Sequence, residues 1–178
     1  MTYVAGATAI PYTPYPHFAI FSKPFDMTEI NYWLMKSEPD AYSIDTLKND
    51  GVTLWDGIRN YQARNFMRKM NIGDKVFFYH SNCKPPGIVG LMEVTDLNIV
   101  DPTQFDKDSK YFDPKSKPEN PRWDCVKVKF ISKSNKILSL PELKILFSED
   151  ELLVVKKGNR LSILPVRDDI AKILLEKI

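Results

Sequence analysis

Few side chains in this sequence are of the kinds that carry out reactions. Neither histidine, His17 nor His80, has a His, Cys or carboxylate at metal-ligand spacing. Cys83 and Cys125 are far apart and form no CxxC pair, which argues against a zinc site or a disulfide framework and suits a reducing compartment. The GxSxG, GxGxxG and GxxxxGK[ST] patterns are absent. Ser37 and Glu38 could be imagined as a nucleophile beside an acid, but neighbours along a strand point to opposite faces and no base stands near. An enzyme is not expected, and neither is a metal or a cofactor.

Binding chemistry is better represented. Side chains with planar hydrogen-bonding groups recur where apolar runs end: Ser37 and Glu38, then Arg59, Asn60 and Arg64, then His80 and Ser81, and finally Asn159 and Arg160. Ends of elements are where a rigid scaffold presents function. Trp33, Trp55 and Trp123 add stacking surface, and Trp55 lies close to Arg59 and Asn60. An aromatic platform beside amide and guanidinium groups is what reading a single unstacked base requires. Each residue also has a plainer reading. Trp33 and Trp123 suit a core, and Arg59 and Arg64 could form ion pairs with Asp56 or others. Asn60 suits a helix N-cap, His80 a satisfied structural histidine, and Gly158-Asn159 a turn with positive φ.

The elements that would position these groups begin near Ile30. Tyr32 to Met35 reads as a buried strand, with Lys36-Ser37-Glu38-Pro39 as the loop leaving it. Ser43 opens a brief helix that Gly51 ends, and Trp55-Asp56-Gly57 makes a turn. Ala63, Phe66, Met67 and Met70 follow i, i+3, i+4, i+7 spacing, the apolar face of a helix. Strands are expected over Lys75 to His80 and Gly87 to about Val100, joined through Pro85-Pro86-Gly87. A polar loop runs from Asp101 to Pro121. Val126, Val128 and Phe130 alternate with Lys127 and Lys129 as in a half-exposed strand. Ser139 or Leu140 starts a helix carrying Leu143, Leu146 and Phe147, and Ile170, Ile173, Leu174 and Ile178 mark a terminal one. Strands with helices inserted between them, without βαβ alternation, indicate an α+β fold; a mixed, partly closed β-barrel is expected first, an open sheet with helices on one face second.

The chain has 178 residues, one domain's length, and a net charge of +2 that neither demands nor excludes nucleic acid. No apolar run approaches the ~20 residues of a membrane helix. A cytoplasmic location is expected, or a nuclear one in a eukaryotic host. Residues 1–28 stand apart: Pro11, Pro14, Pro16 and Pro24 break regular structure, charge is almost absent, and Met27 precedes the first clear strand. They read as a tail or upstream extension ahead of a domain over residues 29–178.

Taken in order, Tyr32-Trp33-Leu34-Met35-Lys36-Ser37-Glu38-Pro39, Trp55-Asp56-Gly57-Ile58-Arg59-Asn60, Phe77-Phe78-Tyr79-His80-Ser81, Tyr111-Phe112-Asp113-Pro114, Pro121-Arg122-Trp123 and Gly158-Asn159-Arg160-Leu161-Ser162 resemble the EVE domain family. The resemblance covers about Ile30 to Ile178. It implies a PUA-like fold related to YTH domains, with Trp55 as a cage wall and Ser37-Glu38-Pro39 lining the same pocket. Arg59, Asn60, Tyr79, His80, Ser81 and Arg160 would supply its polar edges. The function implied is non-catalytic binding of DNA or RNA carrying a modified base, a modified cytosine in DNA first, by a monomer. A small-molecule sensor or enzyme using the same pocket is the alternative.

Overall fold

The computed structural model describes residues 30–178. The expectations for the prolines and aromatic residues before that point, and for Met27 as a start, lie outside the described residues. Six strands form one mixed sheet: β1 (Tyr32–Ser37), β2 (Val52–Trp55), β3 (Lys75–His80), β4 (Gly87–Val100), β5 (Asp124–Ser139) and β6 (Ile163–Val166). Their spatial order is β2-β5-β4-β3-β1-β6, with β1 parallel to β3 and every other neighbouring pair antiparallel. Four helices lie between or after them: α1 (Ile44–Asp50), α2 (Tyr61–Met67), α3 (Leu140–Leu146) and α4 (Asp168–Leu175).

Period-two alternation makes both faces of the sheet apolar. Trp33, Met35, Val76, Phe78, Met92, Val126 and Val128 point to one face and pack with α1 and α2. Leu34, Phe77, Leu91, Leu138 and Leu164 point to the other, under α3 and α4. The α+β class with inserted helices is therefore present. The sheet itself is not closed, because the edge strands β2 and β6 do not pair. Instead α2 packs against both β5 and β6 and spans the opening, and helices cover both faces rather than one.

Local caps set the helix starts. Ser43 accepts from the Thr46 N–H at 3.0 Å, Asn60 accepts from the Gln62 and Ala63 N–H groups at 2.9 and 3.1 Å, and Ser139 with Glu142 forms a capping box. β1 runs two residues further than its apolar stretch, since Lys36 and Ser37 pair with Tyr79 and His80 of β3. The parallel strands thus end side by side, and the Ser81 N–H continues the ladder to the Ser37 carbonyl at 2.9 Å.

Candidate functional site

At the carboxyl ends of β1 and β3 the chain leaves a cavity of about 560 Å³. Six segments converge on it: Lys36 to Glu38 at the end of β1, Ala41 and Tyr42 ahead of α1, Thr53 to Asn60 from β2 to the start of α2, Ser81 after β3, Lys110 and Tyr111 of the long loop, and Arg160 with Ser162 ahead of β6. Crevices beyond the carboxyl ends of parallel strands are a common place for ligands.

A buried ion pair organises the floor. Asp101 has no exposed side-chain surface, and its carboxylate accepts from the Gly57 N–H at 3.0 Å, from the Arg59 guanidinium at 2.7 Å and from the Thr103 N–H at 2.8 Å. Arg59 also donates to the carbonyls of Tyr111 at 2.6 Å and Ile58 at 2.9 Å, and to the Thr103 hydroxyl at 2.8 Å. Those bonds engage four of the five N–H groups a guanidinium carries, so Arg59 fastens the 101–111 loop to the turn at Gly57. Gln104, fully buried, anchors the rest of that loop by donating to the carbonyls of Asp101 and Trp123 at 2.7 and 2.8 Å.

What remains free to meet a ligand is a different set. Asn60 spends its Oδ1 on the helix cap, while its Nδ2 has no partner among the described residues. Asp56 lines the cavity half-buried; burial, and then repulsion from Asp101, raises its carboxyl above the ordinary aspartate value, opposed by Arg59. Arg160 stands exposed at the rim without an ion pair among the described residues. Tyr111 and Trp55 are the aromatic walls beside these groups. Trp55 is only 6% exposed and meets Phe78 edge-on, ring centres 5.2 Å apart. Most of it belongs to the core, so truncation to Ala would remove about 3–5 kcal/mol of packing and confound folding with binding.

Of the residues singled out from sequence, Ser37, Glu38, Trp55, Arg59, Asn60, Ser81 and Arg160 line this cavity. The others stand elsewhere. Trp33 is buried against Phe66 and donates its indole N–H to Asp74 at 2.8 Å. Pro39 lies in the turn where Ala41 and Tyr42 bond back to the Glu38 carbonyl. The Nε2 of His80 accepts from the Ile44 N–H at 3.1 Å, fixing the start of α1. Arg64 lies over the Tyr61 ring at 4.8 Å, and Tyr61 stacks on Trp123, whose indole donates to Asp113 at 2.7 Å. Asn159 closes its own loop through Leu153 and Leu161, and Tyr79 faces a neighbouring cleft with it. Residue-type reasoning missed Lys36, Asp56 and Tyr111. The aromatic-glycine complementarity between Tyr111 and Gly57 has no local signal, because 54 positions separate the pair. Lys127 and Lys129, which alternate along β5 like free cations, are paired with Asp96 at 3.9 Å and Glu93 at 2.7 Å.

Comparison with known proteins places this geometry among relatives. The EVE domain model matches residues 31–177. Thymocyte nuclear protein 1 of Rattus norvegicus is 49% identical over 125 residues, 64% of this chain and 55% of the rat protein. The chain thus spans just over half the length of such curated relatives. A crystal structure of a Pseudomonas syringae protein superposes with TM-score 0.78 at 44% identity, covering 83% of this chain and 99% of that one. The human THYN1 protein, solved in complex with 5-methylcytosine-containing DNA, superposes with TM-score 0.77 at 40% identity over 82% of this chain and 96% of that one.

Proposed function

This chain belongs to the EVE domain family, and we propose that it is a non-catalytic nucleic-acid-binding module holding one modified base in the cavity at Trp55. A modified cytosine in DNA is the first candidate, and a modified base in RNA the variant. The observation that carries the reading is the cavity itself: aromatic walls from Trp55 and Tyr111, with Tyr42 also in the lining, beside a half-buried carboxylate and, among the described residues, an amide N–H2 group and a guanidinium without partners. A base has an apolar face and an edge of donors and acceptors, and this lining offers partners for both. The human relative solved with 5-methylcytosine-containing DNA supports the choice of nucleic acid as ligand. The residues proposed for base contact are Ser37, Glu38, Trp55, Asp56, Asn60, Ser81, Tyr111 and Arg160, with Arg59 holding the floor.

The protein is proposed to act as a monomer inside the cell, in the nucleus where the host is eukaryotic. No helix among the described residues is long and apolar enough to cross a membrane. The test is a binding panel of DNA and RNA oligonucleotides, each with one modified base and an unmodified twin. Preference for one modified strand over its twin is the expected result. Equal binding of every pair contradicts the reading, and tight, salt-independent binding of a free nucleoside points to a small-molecule sensor.

A further inference from the structure

Beside the Trp55 cavity lies a second cleft of about 330 Å³, and Lys36 and Ser81 line both, so the two meet over the end of β1. Four lysines face the second cleft: Lys36, Lys144 of α3, and Lys156 and Lys157 of the following loop; no carboxylate among the described residues lines it. None of the four makes an ion pair within 4 Å among the described residues; what sets them apart from other unpaired lysines is that they share one cleft. One carboxylate stands nearby, Glu149, which accepts from the Lys157 backbone N–H at 3.3 Å; four cations against that single neighbour leave an excess of positive charge that attracts an anion.

The wall between the lysines adds a neutral donor. Tyr79 lines the cleft and is only 3% exposed overall, and its hydroxyl, which is not fully buried, has no hydrogen-bond partner among the described residues and opens to the cleft. Burial pushes its pKa up to about 12, so it stays an O–H donor across the physiological range. Lys36 is tethered at the junction, donating to the Asn159 carbonyl at 3.3 Å. Lysines are compact point charges without the planar fork that reads base edges, so the cleft is suited to phosphate rather than to sequence.

Resting on the reading of the Trp55 cavity as a base pocket, we infer that the lysine-lined cleft holds the sugar–phosphate backbone next to the captured base, gripping the strand through Lys144, Lys156 and Lys157. The cavity then reads and the cleft positions.

The experiment is a salt titration of binding to a DNA oligonucleotide with one 5-methylcytosine and to its unmodified twin. It compares the full chain with the triple variant K144Q/K156Q/K157Q and with K127Q/K129Q, whose lysines are already ion-paired. The three cleft lysines are exposed, so folding is preserved. The triple variant should lower the slope of log K against log salt by about 2–3, at about 0.7–0.9 for each phosphate no longer neutralised, leaving the ratio between the two strands unchanged. The double variant should shift the slope less. An unchanged slope in the triple variant, with the wild-type chain still preferring a modified strand, overturns the inference alone. A wild-type chain that prefers no modified strand of the panel contradicts the base-pocket reading, and the inference falls with it.

Discussion

Gly57 and Tyr111 fit each other as knob and hole: a Cβ on Gly57 would stand 2.6 Å from the Tyr111 ring, and Gly57 holds φ at +73°. The turn leading out of β2 needs a residue without a side chain for both reasons. Gly57→Ala strains the backbone by about 1–2 kcal/mol and displaces the ring. At roughly 2–4 °C per kcal/mol for a chain of this size, scanning calorimetry should register a loss of several degrees. Affinity for the modified strand should fall at temperatures where the variant is still folded. A variant that melts and binds like wild type would show that Tyr111 is not a wall of the site.

The two arginines at the site carry opposite roles. Arg59 neutralises a carboxylate with no exposed surface, and breaking such a pair costs about 3–5 kcal/mol. Arg59→Ala should therefore cause a large loss of stability in chemical denaturation, near the low end of that range because Gly57 and Thr103 still donate to Asp101. Arg160→Ala should leave stability within about 0.5 kcal/mol, as exposed substitutions do, and weaken oligonucleotide binding. The reverse pattern would exchange the two assignments.

Asn60 can be split atom by atom. Its Oδ1 caps α2 and its Nδ2 has no partner among the described residues. Asn60→Asp keeps the cap, since aspartate caps as well as asparagine, and removes the donor. Unchanged melting with a reduced ratio of modified to unmodified binding is the expected outcome. If the ratio survives, the amide does not read the base.

Much of this arrangement is legible where the signal is local. The caps at Ser43, Asn60 and Ser139 are read from single residues ahead of apolar periodicity, and β3 and β4 run from Lys75 to His80 and from Gly87 to Val100 as their alternation indicates. β2 escapes because four residues carry too little pattern, and only pairing with Val126 to Lys129 makes Val52–Trp55 a strand. The open sheet escapes for a similar reason: whether edge strands meet depends on α2 filling the opening, a packing outcome with no periodicity of its own. Arg59 reads as a ligand contact because its buried partner, Asp101, lies 42 residues away.

His80 gives the protein a pH response on the acid side. Its Nε2 accepts from the Ile44 N–H, which requires neutral imidazole, and burial lowers its pKa below the ordinary value. The folded state therefore binds fewer protons than the unfolded one in the window below pH ~6.5. The stability from His80 is present above that value and is lost as pH falls through the folded pKa. Melting temperatures between about pH 7.5 and 5 should decline, and His80→Gln should flatten the His80 part of the curve. An identical pH profile for the variant would remove His80 as its cause.

The central claim, one modified base held in the cavity at Trp55, is tested most directly by NMR titration of the isotope-labelled chain with a modified oligonucleotide and its unmodified twin. The modified strand of the preferred pair should perturb the Trp55 indole and the backbone amides of Gly57, Asn60, Ser81 and Tyr111 most strongly. The twin should shift chiefly the lysine-lined cleft around Lys156 and Lys157. Perturbations at the Trp55 cavity that are the same for both strands, or a modified strand whose shifts fall away from it, would contradict the account.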